Sequence, residues 1–278
     1  MSYNKSTNAL NSPLGKSVDY SVGYQASLLF PIARQEKRDE LGLSGKMPFC
    51  GEDIWNAYEI SWLSTLGLPQ VAIAEFRFPS TSTNIVESKS LKLYLNSLNQ
   101  SVFDNGSSIQ KLISNDLSES AGGDVEVVLK AVDSKVDHVI QSFNAKCIDT
   151  INAKVDQYEY DVSLLELESN DIISENLCSH LLKSNCLITN QPDWASIFIQ
   201  YKGAKIKHES LLKYIISFRT HNEFHEQCVE RIFMDILKCC GPQKLTVYAR
   251  YTRRGGLDIN PWRSNNIHSM DNVRLSRQ

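Results

Sequence analysis

Apolar positions along this 278-residue chain change their period in a set order, and the order recurs in the second half. Residues 54–66 are rich in aromatic and β-branched side chains, including Trp55, Tyr58, Ile60 and Trp62. Gly67-Leu68-Pro69 turns the chain, and Val71, Ile73, Phe76 and Phe78 continue the pattern. Two such runs across a short Gly-Pro connection predict an antiparallel strand pair. A polar loop, 79–83, leads into a segment that begins extended at Asn84 and turns helical, with Leu91, Leu95 and Leu98 on one face. Residues 109–117 predict a second helix. Gly122-Gly123 breaks it, and the alternation over 125–132 is that of a half-buried strand.

The second half repeats this theme. Residues 137–160 carry a strand-like pattern through Val139, Ile140, Phe143, Ile148 and Ile151, and 177–182 form a short helix or strand leading to Cys186. Residues 196–201 predict a strand that ends at Lys202-Gly203. Two helical stripes follow, one through Leu211, Leu212, Ile215, Ile216 and Phe218, the other through Val229, Ile232, Phe233, Ile236 and Leu237. Thr220 and Glu223 have the spacing of a capping box for the second of these helices, which Gly241-Pro242 ends. Residues 245–251 predict a closing strand. Strands, a helix pair and strands again in each half predict an α+β fold of two modules built on antiparallel sheet. We place an N-terminal arm at 1–50, punctuated by prolines and glycines, a first module at 51–150 and a second at 151–278.

Composition narrows the function classes. Apolar residues make up 42% and charged residues 22%, which is globular material with enough length to bury a large core. A net charge of −3 argues against a general affinity for nucleic acid or anionic lipid. No apolar run approaches the ~20 residues that span a bilayer, and the polar first residues lack a signal-peptide core. The expected location is cytoplasmic. The seven cysteines (Cys50, Cys147, Cys178, Cys186, Cys228, Cys239 and Cys240) are odd in number and irregular in spacing. No C-x-x-C pair occurs among them, so no metal site is predicted and reduced thiols are expected.

Four stretches carry candidate chemistry. In Ser184-Asn185-Cys186-Leu187-Ile188-Thr189-Asn190-Gln191-Pro192-Asp193-Trp194, a thiol and a carboxyl flank a proline turn. Pro192 fixes its own φ and drives Gln191 toward extended geometry. Cys186 is a candidate nucleophile and Asp193 a candidate proton donor, although a buried cysteine and a turn aspartate are also ordinary structural residues. His225 and Glu226 open a helix, whose positive end favours the ionised carboxylate. Glu87-Ser88-Lys89-Ser90 offers a carboxylate for a planar donor edge and a cation for an anion. Arg250-Tyr251-Thr252-Arg253-Arg254-Gly255-Gly256 joins three arginines to two glycines, a combination suited to phosphate or to a basic surface turn.

Together, Glu87-Ser88-Lys89-Ser90-Leu91-Lys92-Leu93-Tyr94, Ser184-Asn185-Cys186, Asp193, Phe224-His225-Glu226 and Tyr251-Thr252-Arg253-Arg254-Gly255-Gly256 resemble the QueF family, the NADPH-dependent 7-cyano-7-deazaguanine reductases, in their long, two-module form. The resemblance implies two tandem tunnelling-fold modules like those of GTP cyclohydrolase, each an antiparallel sheet with a helix pair on one face, and a homodimer. It implies reduction of a nitrile to an amine in queuosine biosynthesis, a tRNA modification pathway, with two NADPH consumed per turnover and no metal required. The catalytic residues would be Cys186, which forms a covalent thioimide, Asp193, which protonates the nitrile nitrogen, and His225. Glu87, Ser88, Lys89, His225 and Glu226 would bind the base, and Lys89, Ser90, Arg254 and Gly255 the cofactor. Asp193 can donate a proton near neutral pH only if burial or a neighbouring negative charge supports its acid form.

Two other readings use the same residues. A non-catalytic purine- or RNA-binding module would use the glutamates and the arginine turn, with Cys186 merely packed. A cyclohydrolase-like reaction would call for a metal with His and Cys ligands. A cysteine hydrolase pairing Cys186 with His225 lacks any supporting flanking pattern.

Overall fold

The computed structural model describes residues 11–13, 23–134 and 139–278. They form two compact units. The first comprises Met1–Lys37, Glu52–Val139 and Arg253–Ile259, and the second comprises Arg38–Gly51, Ile140–Thr252 and Asn260–Gln278. Most of the expected first module falls in the first unit and most of the second in the second. The expected N-terminal arm is shared between them, and part of it, residues 1–10 and 14–22, lies outside the described residues.

In the first unit, β1 (Pro31–Ala33) pairs antiparallel with β4 (Asn84–Val86). Strands β2 (Cys50–Leu63), β3 (Pro69–Pro79) and β5 (Glu126–Lys130) form the antiparallel sheet, with β3 between the other two. The β2–β3 register runs from Glu52 opposite Pro79 to Leu63 opposite Pro69, with an irregularity between Ala57 and Ile60. Helices α2 (Ser88–Ser97) and α3 (Gly106–Ala121) bury Leu91, Tyr94, Leu98, Ile109, Ile113 and Leu117 with the sheet residues Trp55 and Phe76. Each fully buried leucine or isoleucine contributes about 1.5–3 kcal/mol relative to exposure. Gly122 ends α3 in the left-handed conformation, φ +66°, and its N–H reaches Ser118 O at 3.0 Å, as a helix C-cap requires.

The second unit has the same sequence of parts. Strands β7 (Leu167–Asn185) and β8 (Pro192–Ile206) make a long antiparallel hairpin. Helices α4 (His208–Ser217) and α5 (His225–Cys240) follow, then β9 (Lys244–Tyr251) and β10 (Leu257–Ser264). β9 lies between β8 and β10, and the two-residue β6 (Lys146–Cys147) runs parallel along the outer edge of β7. The core joins Ile197, Ile199 and Val247 to Leu211, Ile215, Val229, Ile232 and Phe233. α1 (Gln35–Glu40) lies where the chain leaves the first unit for the second.

Several expectations are corrected. The strand pattern at 137–160 yields only β6. Ile148 is buried, but Val139 and Ile140 are exposed, so the apolar residues there are single anchors rather than one face of a strand. Residues 137 and 138 of that span lie outside the described residues. β8 does not stop at Gly203. It runs on to Ile206, and Gly203 is there because a Cβ would come within 2.8 Å of Pro242 Cα. β9 is not the closing strand. Gly255 and Gly256, at φ +58° and +76°, turn the chain into β10. Thr220 does not cap α5. It sits in a 3-10 turn, Phe218–Thr220, and the cap position is Phe224, which makes no side-chain cap bond. Among the described residues no helix is long and apolar enough to cross a membrane.

Candidate active site

The β7–β8 register places Ser184 opposite Asp193 and Asn185 opposite Pro192, leaving Cys186 as the first residue of the link. That link is a defined turn. Cys186 N–H donates to Gln191 O at 2.8 Å, and Asn190 N–H donates to Cys186 O at 3.1 Å. Asn190 closes it in the left-handed region, φ +58°, which asparagine tolerates better than most residues. Asn222 braces the turn, its Nδ2 donating to Cys186 O at 3.1 Å and to Asn190 Oδ1 at 2.9 Å. Residues two apart on a strand share a face, and diagonal neighbours across a pair lie roughly 7–8 Å apart. Continuing the alternation past Asn185 puts Cys186 on the face of Ser184 and so diagonal to Asp193. Burial agrees: Cys186 is 4% exposed and Asp193 6%, whereas Trp194 is 36% exposed.

α5 is brought to this hairpin by the residues that lead into it, through an isolated bridge between Asn185 and Asn222. Asn185 N–H donates to His221 O at 2.8 Å, and Glu223 N–H to Asn185 O at 3.1 Å. His225, the first residue of α5, then stands with Nε2 3.6 Å from Asp193 Oδ1 and its ring edge-on to Tyr251 at 4.1 Å. Glu226 is buried beside it in sequence, at 3% exposure. The hydroxyl of Tyr251 is pushed well above its ordinary pKa by burial, with Cys228 and Asp193 adding to the shift. Burial, reinforced by the Glu223 carboxylate, pushes the Cys228 thiol up to about 12, so at neutral pH it is protonated and poorly suited to attack. The second unit thus holds a buried carboxyl beside an imidazole, at positions 193 and 225, with a buried thiol at 186 and a second buried carboxyl at 226.

Glu87, Ser88, Lys89 and Ser90 lie in the first unit at the start of α2. Glu87 is itself the N-cap. Its carboxylate accepts from Lys89 N–H at 2.7 Å and from Ser90 N–H at 2.8 Å, and the side chain of Ser88 lies 3.5 Å away. Burial raises the Glu87 pKa against the opposing pull of these bonds and of Lys92. A carboxylate has about four acceptor positions, so about one remains beside these three bonds. The Ser90 hydroxyl donates to Glu87 O at 2.6 Å and accepts from Phe30 N–H at 3.0 Å, and it is fully buried. These bonds help to position Glu87.

Arg254 and Gly255 also belong to the first unit. Arg254 N–H donates to Leu257 O at 2.8 Å, Gly256 O accepts from Tyr58 N–H at 2.9 Å, and Arg253 stacks over Tyr58 at 3.9 Å. A Cβ at Gly255 would lie 2.9 Å from Lys92 Nζ, and one at Gly256 2.5 Å from the Glu59 carboxyl carbon. The glycines therefore open a cleft lined by Glu59, Lys92, Asn96 and Asn99. Sequence reasoning missed Lys92 as a site residue, although it lies one helical turn after Ser88 on α2. It also missed Asn222 and Tyr251, which position the reactive groups and carry no signal in spacing alone.

The chain is similar to known proteins over most of its length. Residues 20–129 match the family described as "Nitrile reductase, 7-cyano-7-deazaguanine-reductase N-term", and residues 192–269 match the family described as "QueF-like protein". A protein of Chromobacterium violaceum named NADPH-dependent 7-cyano-7-deazaguanine reductase is 54% identical over 270 residues, 96% of this chain and 97% of that one. Proteins of the same name from Hydrogenovibrio crunogenus and Cupriavidus pinatubonensis are 54% and 55% identical, covering 96% of this chain in each case and 96% and 98% of their own. A solved structure, the archaeosine synthase QueF-Like in the apo form, aligns with 37% of this chain and all of its own at 16% identity and a TM-score of 0.30. With family matches across both halves and relatives above 50% identity over nearly its full length, the chain belongs to the QueF family of nitrile reductases.

Proposed function

We propose that this chain reduces the nitrile of 7-cyano-7-deazaguanine to the primary amine of 7-aminomethyl-7-deazaguanine, and that it does so through a covalent adduct on Cys186. The observation that carries the reading is the convergence of Cys186, Asp193 and His225 at one buried end of the β7–β8 hairpin. It is supported by the name shared by relatives at 54–55% identity.

The chemistry follows from the groups. A nitrile carbon is electrophilic but resists reduction until it is activated. Cys186 Sγ adds to that carbon while Asp193 gives a proton to the nitrogen, so S–H adds across C≡N to form a thioimide. NADPH supplies hydride, two equivalents for the four-electron change from nitrile to amine. After the first reduction the C–S bond breaks, the thiol is released, and an imine remains for the second. His225, 3.6 Å from Asp193, would return a proton to that carboxyl between steps. For the base we propose Glu87, Ser88, Lys89, His225 and Glu226, the two glutamates as acceptors for its donor edge. For the cofactor phosphates we propose Lys89 and Arg254, joined by Lys92, with Gly255 permitting close backbone approach. The glycine requirement beside Lys92 fits such a group. We further propose that the units are tandem tunnelling-fold modules with bounds near 51–150 and 151–278 after an arm at 1–50, assembled as a cytoplasmic homodimer serving queuosine biosynthesis.

Intact-mass measurement after adding the nitrile base without NADPH tests this directly. The expected result is a gain of one substrate mass, mapped to Cys186 and absent in Cys186→Ala. Asp193→Asn slows adduct formation by about 10²–10⁴-fold, the usual span for losing a general acid. With NADPH present, two equivalents are oxidised per substrate. Base binding with no mass change, or an adduct on Cys178 or Cys228, overturns the mechanism and favours a binding module.

A further inference from the structure

A second group of reactive side chains lies in the second unit and takes no part in the reaction above. Cys147 on β6 and Cys178 on β7 are register partners across the parallel pair. His180 is two residues beyond Cys178, on the same face of β7. One ligand atom from each of the three lies within 4.8 Å of the other two. Zn–S and Zn–N bonds of about 2.3 and 2.0–2.1 Å make the edges of a tetrahedral site roughly 3.5–3.8 Å, so small side-chain adjustments would close these atoms on one ion.

The surroundings are those of a ligand set rather than of a packed core. His180 Nδ1 is 2.8 Å from Ser196 Oγ, and Arg277 donates to that same oxygen at 3.0 Å. A hydroxyl oxygen accepts two bonds, so it can take Nδ1–H together with Arg277 and leave Nε2 as the donor to a metal. Arg277 also donates to His180 O at 3.1 Å, holding the backbone of that residue. Asp149 Oδ2 accepts from His180 N–H at 2.8 Å, while its Oδ1 is buried and makes no hydrogen bond. An orphaned carboxylate oxygen on the residue that holds His180 N–H is a position that a cation, or water bound to one, would satisfy.

We propose that Cys147, Cys178 and His180 form a site for a thiophilic divalent cation of the zinc class, with the fourth position taken by water or by Asp149. Its role is structural. β6 has two residues and pairs with one neighbouring strand, β7, with Ile148 N–H to Cys178 O at 3.0 Å extending that contact. Bound metal would staple this edge and the irregular chain around it.

The test uses the full chain, reduced, freed of metal by chelator dialysis and titrated with Co²⁺ alone. One equivalent is expected to give thiolate-to-cobalt charge-transfer absorption with tetrahedral ligand-field bands. Cys147→Ser, at an exposed position, should lose the charge transfer with unchanged circular dichroism. Cys186→Ala should retain it. Ser196→Ala should weaken Zn²⁺ binding by about 10–100-fold, as loss of an outer-shell partner does. The proposal is overturned if Co²⁺ gives no such band, if the band survives in Cys147→Ser, or if intact mass shows the two sulfurs joined as a disulfide. None of these readouts involves nitrile reduction, so the metal site and the catalytic reading stand or fall separately.

Discussion

Asn190 carries the geometry of the reactive loop. It holds a left-handed φ of +58°, its N–H bonds to Cys186 O, and its side-chain oxygen accepts from Asn222. A β-branched residue in that region costs about 1–2 kcal/mol, whereas glycine adopts it freely. Asn190→Val should therefore lower the unfolding midpoint and slow adduct formation on Cys186 by loosening the turn. Asn190→Gly should keep most of the stability and lose only the brace to Asn222. Thermal denaturation and intact-mass kinetics on both variants check this. Equal adduct rates in wild type and Asn190→Val would mean that the turn does not position the thiol. Cys186 and Asp193 were legible at this scale because thiol, proline and acid stand close together in the chain. Asn222 and Tyr251 were not, since nothing in their neighbourhood marks them as partners of Cys186 and His225, 36 and 26 positions away.

α5 does two jobs as an element. Its first turn delivers His225 and Glu226, and its middle carries Glu230, a buried carboxylate between two buried guanidiniums. Arg38 donates Nε at 2.9 Å and Nη2 at 2.7 Å, while Arg263 donates Nε at 3.0 Å and Nη2 at 2.8 Å. Removing one member of a buried ion group leaves uncompensated charge, at a cost of about 3–5 kcal/mol. Glu230→Ala is expected to destabilise by that amount in denaturant titration, and Glu230→Gln by less, since it keeps one acceptor oxygen. A loss under about 1 kcal/mol for Glu230→Ala would show that water replaces the carboxylate. The apolar stripe of α5 was plain in the sequence, but this polar seam was not. Arg38 lies in a stretch expected to be an arm and Arg263 in a strand that the pattern hid.

Stability of the whole molecule against acid rests on buried carboxylates. Glu223 is fully buried, which by itself raises its pKa, yet Arg231 and His221 outweigh that and hold it down at about 2. Arg231 Nη2 lies 2.7 Å and His221 Nε2 3.1 Å from the carboxylate. The folded value lies below the ordinary 4.5, so the contribution is complete above about pH 4.5 and is lost as pH falls toward 2. Its size is about 3 kcal/mol. Glu223→Gln should be less stable at pH 7, and the gap to wild type should narrow through that window. Parallel stability curves from pH 7 to 3 would show that the ion pair adds nothing.

The repeated order of strands, helix pair and strands was readable from the sequence because each element buries a face of its own, and periodicity records burial. The residues of the reactive hairpin were readable for a similar reason: they are local. Three features depended on the tertiary structure. Thr220 does not cap α5: its hydroxyl donates to Tyr158 O at 2.8 Å, and Glu223 is held in a buried ion pair with Arg231 and His221. The pattern of β10 is hidden because Asp258, Asn260, Arg263 and Ser264 are as buried as Leu257 and Trp262, so polarity no longer reports exposure. Cys147 meets Cys178 and His180 only through a two-residue strand pairing across thirty residues of chain. Hydrophobic period is a local code that a chain carries by itself; ion pairs and ligand sets join distant residues, and only the folded backbone brings them together.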